Sequence, residues 1–417
     1  MNDGEKYYGE IWLPGKNDHR TFCVLEIIEN QVTLTTNLHI KENEYKIDKI
    51  YGEYNGLGVL TFINNKTKRS RINYIIERVY EPEYTFISSH FIDTESLKLK
   101  EFEIKNSILN YWIRQIQLFL PNEKKFLPSK EEINDVIEIK ERKLKIVILK
   151  SLSSKTNETK TEIINSGYVG FESENEVSIL EAIELYNTFQ KFILFIFGKT
   201  SHFESFKFKC LSCNEDIFLY YKDRLNRGKS SSYLHYDFWE IRDDLKNILT
   251  IFYTNKDVEF CTNFVLENLL SEKISHSRRF VNSIFSFQAY YKRFHSNNNS
   301  PANNKLNLSL IIYRKLIIEL TNFSDNDFDV FVKKIIRSRD YYVHGNLKQI
   351  DIFSEFELLY ISFLLDYIVG IEILHQLGFS EKLTRKTKLR AKSTYVEMQH
   401  VNKMLNQNVF QQTDYKK

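Results

Sequence analysis

Residues 336–346 read IRSRDYYVHGN and place an arginine, an aspartate and a histidine within six consecutive positions. Histidine is the side chain whose ordinary pKa lets it exchange a proton near neutrality. A guanidinium offers a planar fork of donors to carboxylate or phosphate oxygens. On a helix of 3.6 residues per turn, Phe328, Phe331, Val332, Ile335 and Ile336 form an apolar stripe that Arg339 continues, with Tyr342 and Val343 beyond it. A charge on a core-facing stripe is costly unless paired, so an interface, a carboxylate or an anionic ligand is expected beside Arg339. Arg337 falls on the opposite, solvated side. Asp340 lies four residues before His344, where its carboxylate would orient the imidazole and favour the protonated form.

His344 lies five positions from Arg339, roughly 140° around an ideal helix. Two routes would bring them together: a last turn that loosens at Gly345, a natural helix stop, or a second copy of the chain supplying its own pair. Ordinary surface carries the same residue types too. An arginine can lay its stem on a bundle edge, and a C-terminal histidine complements the helix dipole.

The elements that must position these residues differ between the two halves of the chain. Over the first hundred residues EIWLPG, TFCVLEII, QVTLTT and LGVLTFINN are separated by Gly, Asn and charged turns, which predicts a meander of strands. EFEIKNSILNYWIRQIQLFL is expected as a helix on Ile104, Ile108, Leu109, Trp112 and Ile116, stopped at Pro121. VIEIKERKLKIVILK reads as one or two strands, SLSSKTNETK as a polar loop, and INSGYVGFESE as a further strand. EVSILEAIELYNTFQKFILFIF predicts a helix closed by Gly198, and FKFKCLSCNEDIFLYY a hairpin.

Beyond Asp237 strand signals cease. FWEIRDDLKNILTIFY, DVEFCTNFVLENLL, RRFVNSIFSFQAYYKRF, LNLSLIIYRKLIIELTNF and DFDVFVKKIIRSRDYYVHG each read as a helix, and a long apolar helix follows Phe353. HSNNNSPANNK is the long polar connection among them. The fold class is α+β, with a strand-rich region over 1–236, divisible near 121–135, an all-α bundle over 237–380 and a basic tail over 381–417.

At 417 residues, 42% apolar and 14% aromatic, the chain suits two or three globular domains and is not disordered by charge. Its 58 basic and 55 acidic side chains leave a net charge of +3, so a polyanion would have to meet a local patch. One candidate patch is Lys382, Arg385, Lys386, Lys388, Arg390 and Lys392, a run without an acid, expected as a solvated or frayed terminus or as a nucleic-acid contact. Four scattered cysteines predict a reducing compartment, with cytoplasm the simple reading. Cys210 and Cys213 have the spacing of a zinc knuckle but no matching second pair, and a hairpin turn accounts for them as well. His202, His235 and Cys261 add little to such a site. The N-terminus has no apolar signal region, and LLYISFLLDYIVGIEIL, interrupted by Asp366 and Glu372, reads as a buried helix rather than a membrane span. No GxxxxGK[ST] loop or HExxH motif is present.

Set in a helical bundle, RDYYVHG resembles the R-x4-6-H signature of HEPN ribonucleases. GEIWLPG, IYGEYNGLGVLTF, the ILNYW segment and VGFESENEVSILEAIELYNTFQKFILFIFG together resemble the N-terminal region of ApeA-type abortive-infection proteins, which precedes a HEPN domain. The resemblance spans most of the chain. It implies an endoribonuclease independent of metal and cofactor, acting against phage by cutting host RNA, with tRNA a candidate target. It also implies a phage-derived protein as activator and a homodimer whose two motifs face a shared cleft. His344 would then deprotonate a ribose 2′-OH, Arg339 would stabilise the phosphorane and Asp340 would orient His344. Lys382, Arg385, Lys386, Lys388 and Arg390 would contact the RNA. Tyr291 stands near the place where many relatives carry a glutamate. The alternative is a HEPN bundle that binds RNA or a protein without cutting, with the strand-rich region as the phage sensor.

Overall fold

The structure, a computed structural model, describes residues 1, 4–38, 46–72, 76–94, 97–113, 118–120, 125–127, 133–156, 161–199, 201–209, 215–223, 225, 234–270, 274–295, 302–321, 323–345 and 351–406. The chain divides into two compact units, Met1–Gln190 with Thr200–Asn226, and Lys191–Lys199 with Arg227–Lys417.

In the first unit, the alternating N-terminal runs form β1 (Lys6–Trp12), β2 (Thr21–Ile28), β3 (Gln31–Thr36), β4 (Lys46–Tyr54), β5 (Gly58–Ile72) and β6 (Ile76–Glu81). They pair antiparallel in the order β5-β4-β1-β2-β3-β6, and β6 pairs back onto β5, so the six strands close into a barrel. Closure follows from period-two patterning, as in QVTLTT, whose Val32, Leu34 and Thr36 point inward. Ile11, Cys23, Leu25, Ile27, Ile50, Leu60, Phe62 and Tyr80 complete the interior with them.

β5 also leads out of the barrel. Its Val59–Ile63 stretch pairs with β7 (Tyr84–Ser88), whereas its Lys66–Ile72 stretch pairs with β6. Between the two lies Asn64 at φ 54°, a left-handed conformation that asparagine tolerates better than most residues. The Asn65 amide donates to Ile47 O at 3.1 Å and Phe62 O at 3.0 Å, tying the kink down.

The remaining strands are β8 (Leu99–Asn106), β9 (Leu118–Leu120), β10 (Lys125–Leu127), β11 (Ile133–Ile139), β12 (Leu144–Thr156), β13 (Thr161–Val177), β14 (Phe203–Lys209) and β15 (Asp216–Tyr221). From β5 the sheet continues β7-β15-β14-β8-β13-β12-β11, while β9 and β10 pair with each other. Helices α1 (Ser107–Trp112) and α2 (Ile179–Phe197) accompany it, with Gly198 at φ 72° ending α2. Phe189 of α2 meets Phe171 at 6.2 Å, and Tyr186 meets Phe206 at 6.3 Å, giving the sheet an aromatic core.

Two expectations for this unit fail. EFEIKN is strand, not the start of a long helix, because Phe102, Ile104 and Asn106 alternate inward and β13 and β14 pair with it on both sides. Asn106 then caps the six-residue α1 by accepting from Ile108 N at 2.9 Å. The stretch read as the loop SLSSKTNETK is strand to Thr156, its backbone paired as far as Thr156↔Thr161, and residues 157–160 lie outside the described residues.

The second unit is helical: α3 (Phe238–Ile241), α4 (Leu245–Thr254), α5 (Lys256–Leu270), α6 (His276–Phe294), α7 (Ala302–Ile312), α8 (Arg314–Thr321), α9 (Asp325–His344), α10 (Glu355–Gln376) and α11 (Glu381–Asn406). Two segments expected as single helices break, one in the 3₁₀ turn Arg242–Asp244 between α3 and α4, the other at Tyr313 between α7 and α8. Of the polar connection, residues 296–301 lie outside the described residues and α7 begins at Ala302. The stretch after Gly378 is the helix α11, docked through buried Thr384, Thr387 and Ala391.

By length and composition α10 could cross a bilayer, but 72% of its most apolar window is buried in the protein. Asp366 sits within that window. Its carboxylate accepts from Asn268 Nδ2 at 3.1 Å and faces Arg279 of α6 at 3.7 Å, while Ser283 accepts from the same amide at 3.0 Å. Burial raises the Asp366 carboxyl to about 6, against the opposing pull of Arg279. The native state therefore binds this proton more tightly than the unfolded chain does. Its contribution to stability is present at low pH and is lost as pH rises through about 6, on the order of 3 kcal/mol in all. Asp366→Asn removes that slope. Melting curves at pH 4.5 to 7 should show the variant gaining on the wild type as pH rises, and parallel curves would refute the assignment.

Candidate active site

α9 begins with a reciprocal cap: Ser324 Oγ accepts from Asp327 N at 3.2 Å, and the Asp327 carboxylate accepts from Ser324 N at 2.9 Å. Twenty residues later it ends at Gly345, whose φ of 64° only glycine adopts without strain. Gly345 N donates to Tyr341 O at 3.0 Å, so the last turn stays α-helical.

The buried line along α9 is Phe328, Phe331, Val332, Ile335 and Ser338. Ser338, rather than Ile336, continues the stripe because it has a partner: Phe353 N donates to Ser338 Oγ at 2.9 Å. One turn on, the Tyr342 hydroxyl donates to Phe353 O at 3.3 Å, and its ring meets Phe280 of α6 edge-on at 6.4 Å. These contacts fix the C-terminal half of α9 against the start of α10 and of α6. Neither residue entered the sequence-based site, although the 331, 335, 338, 342 spacing is helical and legible.

Arg339 lies at the edge of this line with 12% of its side chain exposed. Its guanidinium donates to Asp340 Oδ1 at 2.8 Å, and Asp340 itself is 23% exposed. The structure thus brings Arg339 and Asp340 together. Among the described residues no hydrogen bond joins Asp340 to His344, which is exposed at the helix end. With the last turn intact, Arg339 and His344 leave one helix on different sides, about 7.5 Å apart along its axis. Arg337 makes an exposed pair with Asp351 at 2.9 Å, as a solvated position should. Tyr291 is buried on α6, its ring stacked on His295 at 6.1 Å.

The basic run divides by role. Lys386 pairs with Glu240 at 2.9 Å and Arg390 donates to Leu234 O at 3.3 Å, so both help dock α11. Lys382, Arg385 and Lys392 are exposed and recur at helical spacing, with Lys388 half-buried between them. Cys210 and Cys213 lie outside the described residues. Among the described residues no group of three or more His, Cys, Asp or Glu side chains could hold a metal ion. Cys261 is buried in α5, and His235 stacks on Phe197 at 4.8 Å.

A helical bundle with an arginine and a histidine closing one helix, carried behind a strand-rich unit, is the build of a two-part HEPN protein. The family model ApeA N-terminal domain 1 matches residues 6–251, and Apea-like HEPN matches residues 263–383. The chain belongs to the ApeA family, with its N-terminal domain followed by its HEPN domain. This pair of domains points to an abortive-infection, HEPN nuclease-like role. Comparison with curated proteins and with solved structures gave no match.

Ser338→Ala should lower stability by about 1–2 kcal/mol, because it leaves the buried Phe353 N–H without its acceptor. Urea unfolding measures this, and an unchanged midpoint would mean that Phe353 finds another partner.

Proposed function

We propose that this protein is an anti-phage abortive-infection endoribonuclease that cuts host RNA, tRNA among the candidates, without a metal. The carrying observation is a largely buried guanidinium held by its neighbour Asp340 one turn before an exposed imidazole at a capped helix end. His344 takes the proton of a ribose 2′-OH. The oxygen attacks the adjacent phosphorus, the P–O5′ bond breaks, and the 5′-oxygen leaves with a proton from imidazolium or water. Fragments then carry 2′,3′-cyclic phosphate and 5′-hydroxyl ends. Arg339 meets the charge that gathers on the phosphorane oxygens, and Asp340 acts by aiming Arg339.

Because an intact helix sends Arg339 and His344 to different sides, the reading includes a homodimer in which the two copies complete one cleft. The exposed cations of α11 would follow the RNA backbone, the first unit would receive a phage-derived activator, and the compartment would be the cytoplasm.

The test is purified protein with total RNA in EDTA, with and without lysate from infected cells. Cyclic-phosphate ends should form, and His344→Ala should reduce them by about 10²–10⁴-fold without loss of fold, since the side chain is exposed. Arg339→Lys should also fail, because an ammonium lacks the planar fork. RNA that is bound yet stays intact with the activating lysate would favour a non-catalytic binding module. Lys382→Ala with Arg385→Ala should flatten the salt dependence of RNA binding by about 1.5 log units per log unit of salt. An unchanged slope would remove α11 from the interface.

A further inference from the structure

The first unit has a feature that RNA cleavage does not use. Where β5 leaves the barrel, a cavity of about 530 Å³ opens, within the range of small-molecule sites. Its walls come from the kink (Lys66, Glu81, Glu83), from α2 (Asn187) and from the end of β15 (Tyr221, Lys222). The two carboxylates have neighbours of their own: Glu81 pairs with Lys68 at 2.5 Å, and Glu83 accepts from Asn64 Nδ2 at 3.1 Å. Among the described residues Lys66 and Lys222 have no carboxylate within ion-pair distance, so two cations border the cavity uncompensated.

A second observation is independent of those charges. Tyr221 lines the cavity, is 7% exposed, and its hydroxyl has no hydrogen-bond partner. A buried phenol left unpaired costs stability, and native proteins keep such groups where a ligand supplies the partner. Its ring stands 6.3 Å from that of Tyr84, which also borders the space.

We propose that this cavity binds a nucleotide. An anionic end would lie between Lys66 and Lys222, a planar body would meet the amide of Asn187, the Tyr221 hydroxyl and the tyrosine rings, and ribose hydroxyls would donate to Glu81 or Glu83. A bare inorganic anion would leave most of the volume empty and sit beside two carboxylates. An uncharged nucleoside would leave both lysines unmatched.

The test is titration calorimetry on the full chain with AMP, GMP, CMP, UMP, adenosine and inorganic phosphate. At least one nucleotide should bind about tenfold more tightly than adenosine or phosphate, and Lys66→Ala with Lys222→Ala should weaken it about tenfold. Tyr221→Phe should leave the melting temperature of the free chain unchanged or higher while weakening the nucleotide several-fold. The proposal is overturned if no nucleotide outperforms phosphate and adenosine, or if both variants bind it like the wild type. No RNA enters this experiment, so its outcome is independent of the nuclease reading.

Discussion

A guanidinium with only 12% of its side chain exposed needs a fixed counter-charge, and the geometry at the end of α9 follows from how that need is met. The next residue supplies the carboxylate, at 2.8 Å. A neighbour so close in sequence costs little chain entropy to recruit, and the pair travels with the helix as one group. Ser338 and Tyr342 then tie the same turn to Phe353, so the helix has no slack with which to swing His344 toward Arg339. The arrangement is rigid where a phosphate would be gripped and open where a proton would be exchanged.

The bundle contains a second buried charge pair of different character. Asp366 and Arg279 stand 3.7 Å apart, on α10 and α6, with Asn268 of α5 donating to the carboxylate. Three helices meet at one polar point inside an otherwise apolar core. Such a point opposes slippage, because moving any one helix leaves a buried group without its partner. It also keeps α10, apolar enough to cross a membrane, committed to the interior of the protein.

The first unit solves a different problem. An isolated sheet exposes two edges, and β6 removes one of them by pairing with both β3 and β5. β5 shares its length between barrel and open sheet, and the cost is concentrated in one left-handed residue, Asn64. The kink creates a corner that strands alone cannot fill. The polar cavity lies at that corner.

Much of this was legible beforehand. Alternation marked the barrel strands, apolar runs at helical spacing marked the bundle, and RDYYVHG stood out by residue type alone. Errors fell where two periods compete. Phe102, Ile104 and Ile108 satisfy a helical pattern as readily as Phe102, Ile104 and Asn106 satisfy a strand, and pairing with β13 and β14 decided between them. The run after Gly378 looked like a frayed tail because its composition is basic, yet Thr384, Thr387 and Ala391 have a surface to bury against.

By itself the sequence determined which side chains could do chemistry, because their types and local spacing are properties of the chain. Only the tertiary structure decided their partners. Asp340 is equally near Arg339 and His344 in sequence terms, one residue or one turn away, and the burial of the guanidinium assigns the carboxylate to the arginine. Lys66 and Tyr221 share a cavity although 155 positions of chain separate them, since contacts of that range are made by packing and leave no local pattern to read.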